Sequence, residues 1–175
     1  AASRPARRAG TRDVSLPQLD GPTFITDGGM ETVLIFHEGL ELPDFASFVL
    51  LDDEAGSEAL RAYFRPFLVI GRDHGAGVLL DTPTWRASPD WGERLGYSRE
   101  RLAELNRRGV TLLEGLRGET GGDPPLLISG CIGPRGDGYV VGEQMTAAEA
   151  ERYHSFQAGV FADTAADAVS ALTLT

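Results

Sequence analysis

The chain has 175 residues, of which 42% are hydrophobic and 24% charged, values typical of one globular domain with a buried core. Its formal net charge is −10 at pH 7, and all 16 basic residues are Arg. Four of these Arg lie within residues 1–12, which leaves a net charge of −14 on the rest of the chain. This strongly negative charge outside residues 1–12 argues against the basic surface that nucleic-acid binding requires.

Membrane insertion and secretion are also disfavoured. No apolar run approaches the roughly 18 residues that a membrane helix needs, and the N-terminus lacks the apolar segment of a secretory signal. The single cysteine, Cys131, cannot form an internal disulfide and fits a reducing, cytoplasmic location. We interpret the Arg-rich residues 1–22 as a disordered extension; a targeting peptide or a nucleic-acid arm has a similar composition.

Hydrophobic periodicity predicts alternating strands and helices from residue 23 onwards. In chain order these are strand 23–26, helix 57–74, strand 78–81, helix 99–117, strand 126–129, helix 147–164 and strand 168–172. Residues 85–97, which carry both tryptophans, are predicted to be irregular. The strands are continuous apolar runs, as in parallel sheets covered by helices on both faces. An α/β fold follows, either a compact open sheet or half of an eight-stranded barrel.

Polar and glycine residues follow the first strand directly. Asp27 precedes Gly28 and Gly29, which lack side chains and so let a substrate approach the backbone N–H groups closely. The Asp27 carboxylate can hold a substrate amine or orient a neighbouring group. The same Asp-Gly-Gly sequence forms ordinary turns, so the residues alone leave both interpretations open.

The next strand ends provide further candidates. Asp81, Thr82 and Thr84 follow the second strand, where hydroxyl groups can bind a carboxylate, order a water molecule or only cap the sheet edge. Four aromatic residues of the predicted loops either wall an apolar pocket or anchor those loops. They are Trp85, Trp91, Tyr97 and Tyr139.

Metal and nucleotide motifs are missing from the sequence. Cys131, which follows the third strand, is interpreted as core packing rather than as a nucleophile or metal ligand. The histidines His37, His74 and His154 are widely spaced, so no metal site is predicted within this chain. A phosphate-binding loop would need a Lys, which the chain lacks.

Three motifs at the strand ends occur in a characteristic order. They are residues 26–32 (TDGGMET), 80–88 (LDTPTWRAS) and 129–137 (SGCIGPRGD). With these motifs the chain resembles the homocysteine S-methyltransferase family over residues 23–175. The resemblance implies the N-terminal half of a (β/α)8 TIM barrel, truncated after the fourth strand. It also implies transfer of a methyl group to an amino-acid thiol that zinc activates.

The resemblance also assigns substrate-binding residues. The first-strand corner is expected to line the amino-acid pocket, and the second-strand edge is expected to lie beside it. The residues concerned are Asp27, Gly28, Gly29, Met30, Thr82 and Thr84. The family's zinc-binding cysteines belong to later N-C and G-G-C-C motifs, which this sequence does not contain. We therefore expect zinc in full-length members but no catalysis by this chain alone.

Other functions stay open at this stage. Residues 169–173 lack the glutamate that the family often uses for the substrate amino group, so the acceptor need not be homocysteine. A non-catalytic half-barrel with two exposed edge strands can pair with a second copy or with a complementary half. A metal-independent barrel enzyme can use Asp27 as a general base. The expected partners are an amino-acid thiol and a methyl donor, with no nucleic acid and no membrane.

Overall fold

The computed structural model describes residues 16–19, 21–140, 142 and 144–174. Its centre is a four-stranded parallel sheet in which each strand pairs with the next one along the chain. The strands are β1 Phe24–Thr26, β2 Gly77–Asp81, β3 Leu126–Ile132 and β4 Ala168–Ala171. The predicted α/β fold is therefore confirmed, and the sequential parallel order is that of a half-barrel.

Helices connect the strands. They are α1 Met30–Phe36, α2 Glu54–Asp73, α3 Pro89–Arg94, α4 Arg99–Thr120 and α5 Ala147–Ala162. The prediction of an irregular segment at 85–97 was wrong over α3, and α1 was not predicted. At seven and six residues both helices are shorter than two turns, so neighbouring elements rather than a repeated apolar pattern stabilise them. Short 3-10 helices cover Pro17–Leu19, Pro43–Phe45 and Ser47–Asp52.

The three long helices begin at side-chain caps. Asp53 Oδ1 accepts the Gly56 N–H at 2.8 Å, so α2 begins three residues earlier than its apolar period suggests. Ser98 caps α4 as predicted. Thr146 and Glu149 form the predicted capping box at the start of α5.

The core lies between the sheet and its covering helices. Fully buried side chains from β2 and β3 meet side chains from α2, α4 and α5. They include Val78, Leu80, Ile128, Leu60, Phe64, Leu113, Leu116 and Phe161. None of the described helices is long and apolar enough to cross a membrane. The extension predicted over residues 1–22 lies mostly outside the described residues.

A close approach of two loops shapes the far end of β3. A Cβ atom placed on Gly133 would lie 2.1 Å from the carbonyl oxygen of Trp85, in the loop after β2. The same addition at Gly136 would meet nothing within 4 Å. Gly133 therefore lets the two loops touch, whereas Gly136 has no such role.

We predict that Gly133→Ala destabilises the protein by roughly 1–3 kcal/mol, because the backbone of one loop has to shift to admit the methyl group. Urea unfolding followed by circular dichroism measures the effect. Gly136→Ala is the matched control and should leave the free energy of unfolding within about 0.5 kcal/mol of the wild type. Equal effects of the two substitutions would contradict the close approach.

Candidate active site at the carboxyl edge of the sheet

The carboxyl ends of the four strands surround one cavity of about 500 Å³. Because parallel strands end at the same edge, residues far apart in the chain meet there. The lining includes, from the four strand ends, Asp27, Gly28, Gly29, Met30, Asp81, Thr82, Cys131 and Leu172. Glu31 and Thr32 of α1 also line it, and residues of the connecting segments complete it: Phe45, Pro83, Trp85, Arg86, Asp137, Tyr139 and Thr173.

Five of the six substrate-binding residues expected from the sequence line this cavity: Asp27, Gly28, Gly29, Met30 and Thr82. Thr84 lies beneath the lining and is fully buried. Of the aromatic candidates, Trp85 and Tyr139 line the cavity. That any of these residues contacts a substrate stays a prediction.

Asp27 ties β1 to β2 and to α2. Its Oδ1 accepts the backbone N–H of Asp81 at 3.0 Å, and its Oδ2 lies 3.2 Å from the hydroxyl of Tyr63. The Tyr63 hydroxyl also lies 3.0 Å from the carbonyl oxygen of Gly28. Gly29 then turns the chain into α1 with φ of 68°, a conformation that favours glycine. The Asp-Gly-Gly turn is thus built around the side chain of Asp27.

Burial raises the pKa of Asp27 to about 6, and the nearby Asp81 carboxylate adds to this shift. The Tyr63 hydroxyl can donate to Asp27 Oδ2 or to the Gly28 carbonyl oxygen, and its bond to Asp27 partly opposes the rise in the pKa of this carboxyl group. Near neutral pH this carboxyl group titrates.

A buried hydrogen-bond chain holds the turn after β2 against β3. Thr82 Oγ1 accepts the Cys131 N–H at 2.9 Å, and Thr84 Oγ1 donates to the Cys131 carbonyl at 2.8 Å. The two threonine hydroxyls lie 2.6 Å apart. Gln157 of α5 donates to the Thr84 carbonyl at 2.9 Å and to Asn106 of α4 at 3.0 Å. The hydroxyl of Thr84 is therefore engaged in supporting the cavity wall.

Arg86 forms a second support for the wall. Its guanidinium lies between the indole rings of Trp85 and Trp91, 3.9 Å from each ring centroid. It donates to the carbonyl oxygens of Gly136 and Asp137 at 2.9 and 2.8 Å. Only 5% of Arg86 is exposed, so it connects the loops after β2 and β3 through buried contacts.

The cavity lining combines acidic and aromatic side chains. Four carboxylates line it, against one basic side chain among the described residues, that of Arg86. The acids are Asp27, Glu31, Asp81 and Asp137, and the aromatic side chains are Phe45, Trp85 and Tyr139. Both features favour a ligand with a positively charged group.

The described residues do not fit a zinc ion. Among them, no three or more His, Cys, Asp or Glu side chains are grouped so that they could hold a metal. Cys131 is 3% exposed, and burial raises the pKa of its thiol well above the usual range, which disfavours the thiolate that zinc binds. The zinc expected from the family resemblance therefore finds no ligand set in this part of the chain.

Sequence reasoning did not single out Glu31, Phe45 or Arg86. Glu31 was visible within the first motif, and its Oε1 accepts the Ser47 hydroxyl at 2.7 Å. Phe45 is the last residue of the 3-10 helix Pro43–Phe45 and has φ of 58°, which no sequence pattern indicates. Arg86 stood inside the second motif, but its stacking depends on Trp91 of α3, the helix that was not predicted.

We predict that Asp27→Asn flattens the pH dependence of stability. Folding raises the pKa of Asp27 from 3.8 to about 6, so its contribution to stability is fullest below pH 4 and is lost as pH rises through 6. The wild type should therefore lose about 3 kcal/mol of its free energy of unfolding over this range, and the variant should not show this loss. Urea unfolding at pH 4 to 8 measures it. Burial also raises the pKa of Asp81, so the variant should keep the part of the pH dependence that Asp81 contributes. Parallel profiles for the variant and the wild type would contradict the assignment.

Two similar solved structures are the metallated and oxidized forms of the homocysteine methyltransferase MmuM from Escherichia coli. The metallated form has a TM-score of 0.68 and 20% identity, and the match covers 91% of this chain. The oxidized form has a TM-score of 0.69 and 22% identity, over 89% of this chain. This chain spans 57% and 55% of those two chains. At this identity the likeness shows the fold, here about half of a larger barrel. A comparison with curated proteins found no significant match.

Sequence similarity identifies the family independently of the fold. A family model described as "Homocysteine S-methyltransferase" matches residues 24–175, which include all four strands and the whole cavity lining. The resemblance first seen in the strand-end motifs is thereby confirmed. The chain belongs to the homocysteine S-methyltransferase family.

Proposed function

We propose that this chain supplies the substrate-binding corner of an enzyme that transfers a methyl group to the thiol of an amino acid, with homocysteine as the acceptor. The observation that carries the proposal is the cavity at the carboxyl edge. It contains the Asp-Gly-Gly-Met corner and joins four carboxylates to an aromatic wall. Family membership supports the reaction class.

The lining suits the two small molecules of such a reaction. An amino acid presents an ammonium group, which the acidic side chains of the cavity attract. Effective methyl donors carry the methyl group on a positively charged atom, which the faces of Trp85 and Tyr139 can stabilise. Gly28 and Gly29 leave room for the ligand to approach the backbone, and Met30 offers an apolar contact.

We further propose that the chain alone does not catalyse methyl transfer. A thiol near its usual pKa is mostly protonated at neutral pH and is then a poor nucleophile. In the family, zinc supplies thiol activation, but the residues described here offer it no ligand set. Binding and orientation of the substrate are the part of the reaction that this chain's own residues can perform. A cytoplasmic location stays a prediction.

We predict that L-homocysteine binds at the carboxyl edge. In a titration of the ¹⁵N-labelled chain, the amide signals of residues 27–31 and 81–86 should shift together, because these segments line the cavity. A second groove between α2 and α4, lined by Arg61 and Arg108, serves as an internal control. Shifts confined to that groove, or no shifts at millimolar homocysteine, would refute the proposed function.

The open edges of the sheet favour a second candidate, a half-barrel that functions by pairing. β4 pairs only with β3 in the described sheet, and its Val169 is 48% exposed. Leu172 and Leu174, just beyond β4, are 44% and 49% exposed. Apolar side chains beside an unpaired strand edge promote association with another strand. A second copy, or a separate complementary half, would close the barrel.

If two copies pair through β4, size-exclusion chromatography with light scattering should give a mass of about twice the 18.7 kDa of one chain. Val169→Glu should shift it to the monomer, because a charge at the edge opposes strand addition. Val69→Glu is the matched control, since Val69 is 45% exposed on α2, away from β4. A monomeric wild type would exclude self-pairing and would leave the substrate-binding proposal unaffected.

A further inference from the structure

The two aspartates at the ends of β1 and β2 differ in their hydrogen bonds. Both oxygens of Asp27 have partners within the protein, the Asp81 N–H and the Tyr63 hydroxyl. By contrast, Asp81 Oδ1 has no hydrogen-bond partner among the described residues. An unpartnered buried carboxylate oxygen is costly, so a water molecule or a ligand group in the cavity has to satisfy it.

The other two carboxylates of the cavity are also engaged. Glu31 Oε1 accepts the Ser47 hydroxyl at 2.7 Å. Asp137 Oδ1 accepts the N–H groups of Tyr139 and Val140, each at 3.0 Å. Of the four acids that line the cavity, Asp81 is therefore the one with a buried oxygen that no described group satisfies.

The surroundings of Asp81 suit a cation. It lies opposite Ser129 in the β2–β3 register, and the hydroxyls of Ser129 and Ser170 lie 2.5 Å apart. These nearby hydroxyls favour the ionised form of Asp81, while burial opposes it and keeps its pKa raised. A positively charged ligand group beside Asp81 would restore the ionised carboxylate and provide the missing partner.

We propose that Asp81 is the specificity-determining acid that contacts the ammonium group of the ligand, and that Asp27 is a positioning residue that aligns β2 through the Asp81 backbone N–H. The inference rests on the proposed function, since it assumes an amino-acid ligand in this cavity. It differs from the expectation drawn from the sequence, in which Asp27 itself meets the amine. It also explains how this chain recognises an amino group without an acid after β4.

Removing the Asp81 charge should weaken binding of ligands that carry an ammonium group. By isothermal titration calorimetry on the 175-residue chain, Asp81→Asn should lower the affinity for L-homocysteine by at least about tenfold, as loss of a charge-assisted hydrogen bond implies. The affinity for 4-mercaptobutanoate, which lacks only the amino group, should not change. Asp27→Asn should lose less affinity than Asp81→Asn, since its amide oxygen still accepts the Asp81 N–H.

Asp73→Asn is the matched control, because it makes the same change on an exposed residue at the end of α2. Equal homocysteine affinity for the wild type and Asp81→Asn, or a larger loss in Asp27→Asn, would overturn the inference while leaving the proposed function intact. A wild type that binds neither compound would refute the proposed function as well.

A measurement on the wild type tests the inference without a variant that first has to fold. Carbon-13 NMR of the labelled aspartate carboxyl groups follows the titration of Asp81 directly. Homocysteine should lower the pKa of Asp81, whereas 4-mercaptobutanoate should not. A pKa of Asp81 that is the same with and without homocysteine, at ligand concentrations that shift the cavity amides, would overturn the inference.

Discussion

The turn after β2 is buried, so its polar groups must find partners away from water, and the cavity depends on how they do so. Thr82 and Thr84 bind the backbone of Cys131 on β3, and Gln157 and Asn106 bind the turn from the helices. This chain of hydrogen bonds fixes the direction in which the loop leaves the sheet. The loop in turn carries Trp85 and Arg86 to the cavity wall. A change at Thr84, Asn106 or Gln157 would therefore move the wall, although none of these three residues lines the cavity.

Asp27 shows how one side chain can serve both the fold and the site. It closes the gap between β1 and β2 by accepting the Asp81 N–H, and it anchors Tyr63 of α2. These bonds fix the side chain of Asp27 at the corner and give each carboxylate oxygen one partner within the protein. The neighbouring Asp81, held by the same bond, keeps an oxygen unpartnered. Support and recognition are thus divided between two adjacent acids.

The described half of the barrel forms a cavity lining without a group of metal ligands. The loops after four parallel strands converge on one edge, so this chain assembles a lining with acids, glycines and aromatic rings. A metal that activates a thiol needs several ligands at one point, and the described residues do not provide them. This chain spans 57% and 55% of the two solved homocysteine methyltransferase chains.

The sequence by itself determined the strands, the three long helices, the caps at Ser98 and Thr146, and the corner at Asp27, because these features depend on apolar periodicity and on hydrogen bonds between close neighbours in the chain. The strand-end motifs also sufficed to indicate the family. Only the tertiary structure decided that Thr84 is buried, that Arg86 stacks between two indoles, and that Asp81 rather than Asp27 keeps an unpartnered oxygen. Each of these depends on groups brought together from distant parts of the chain, and local patterns do not encode which donor reaches which acceptor.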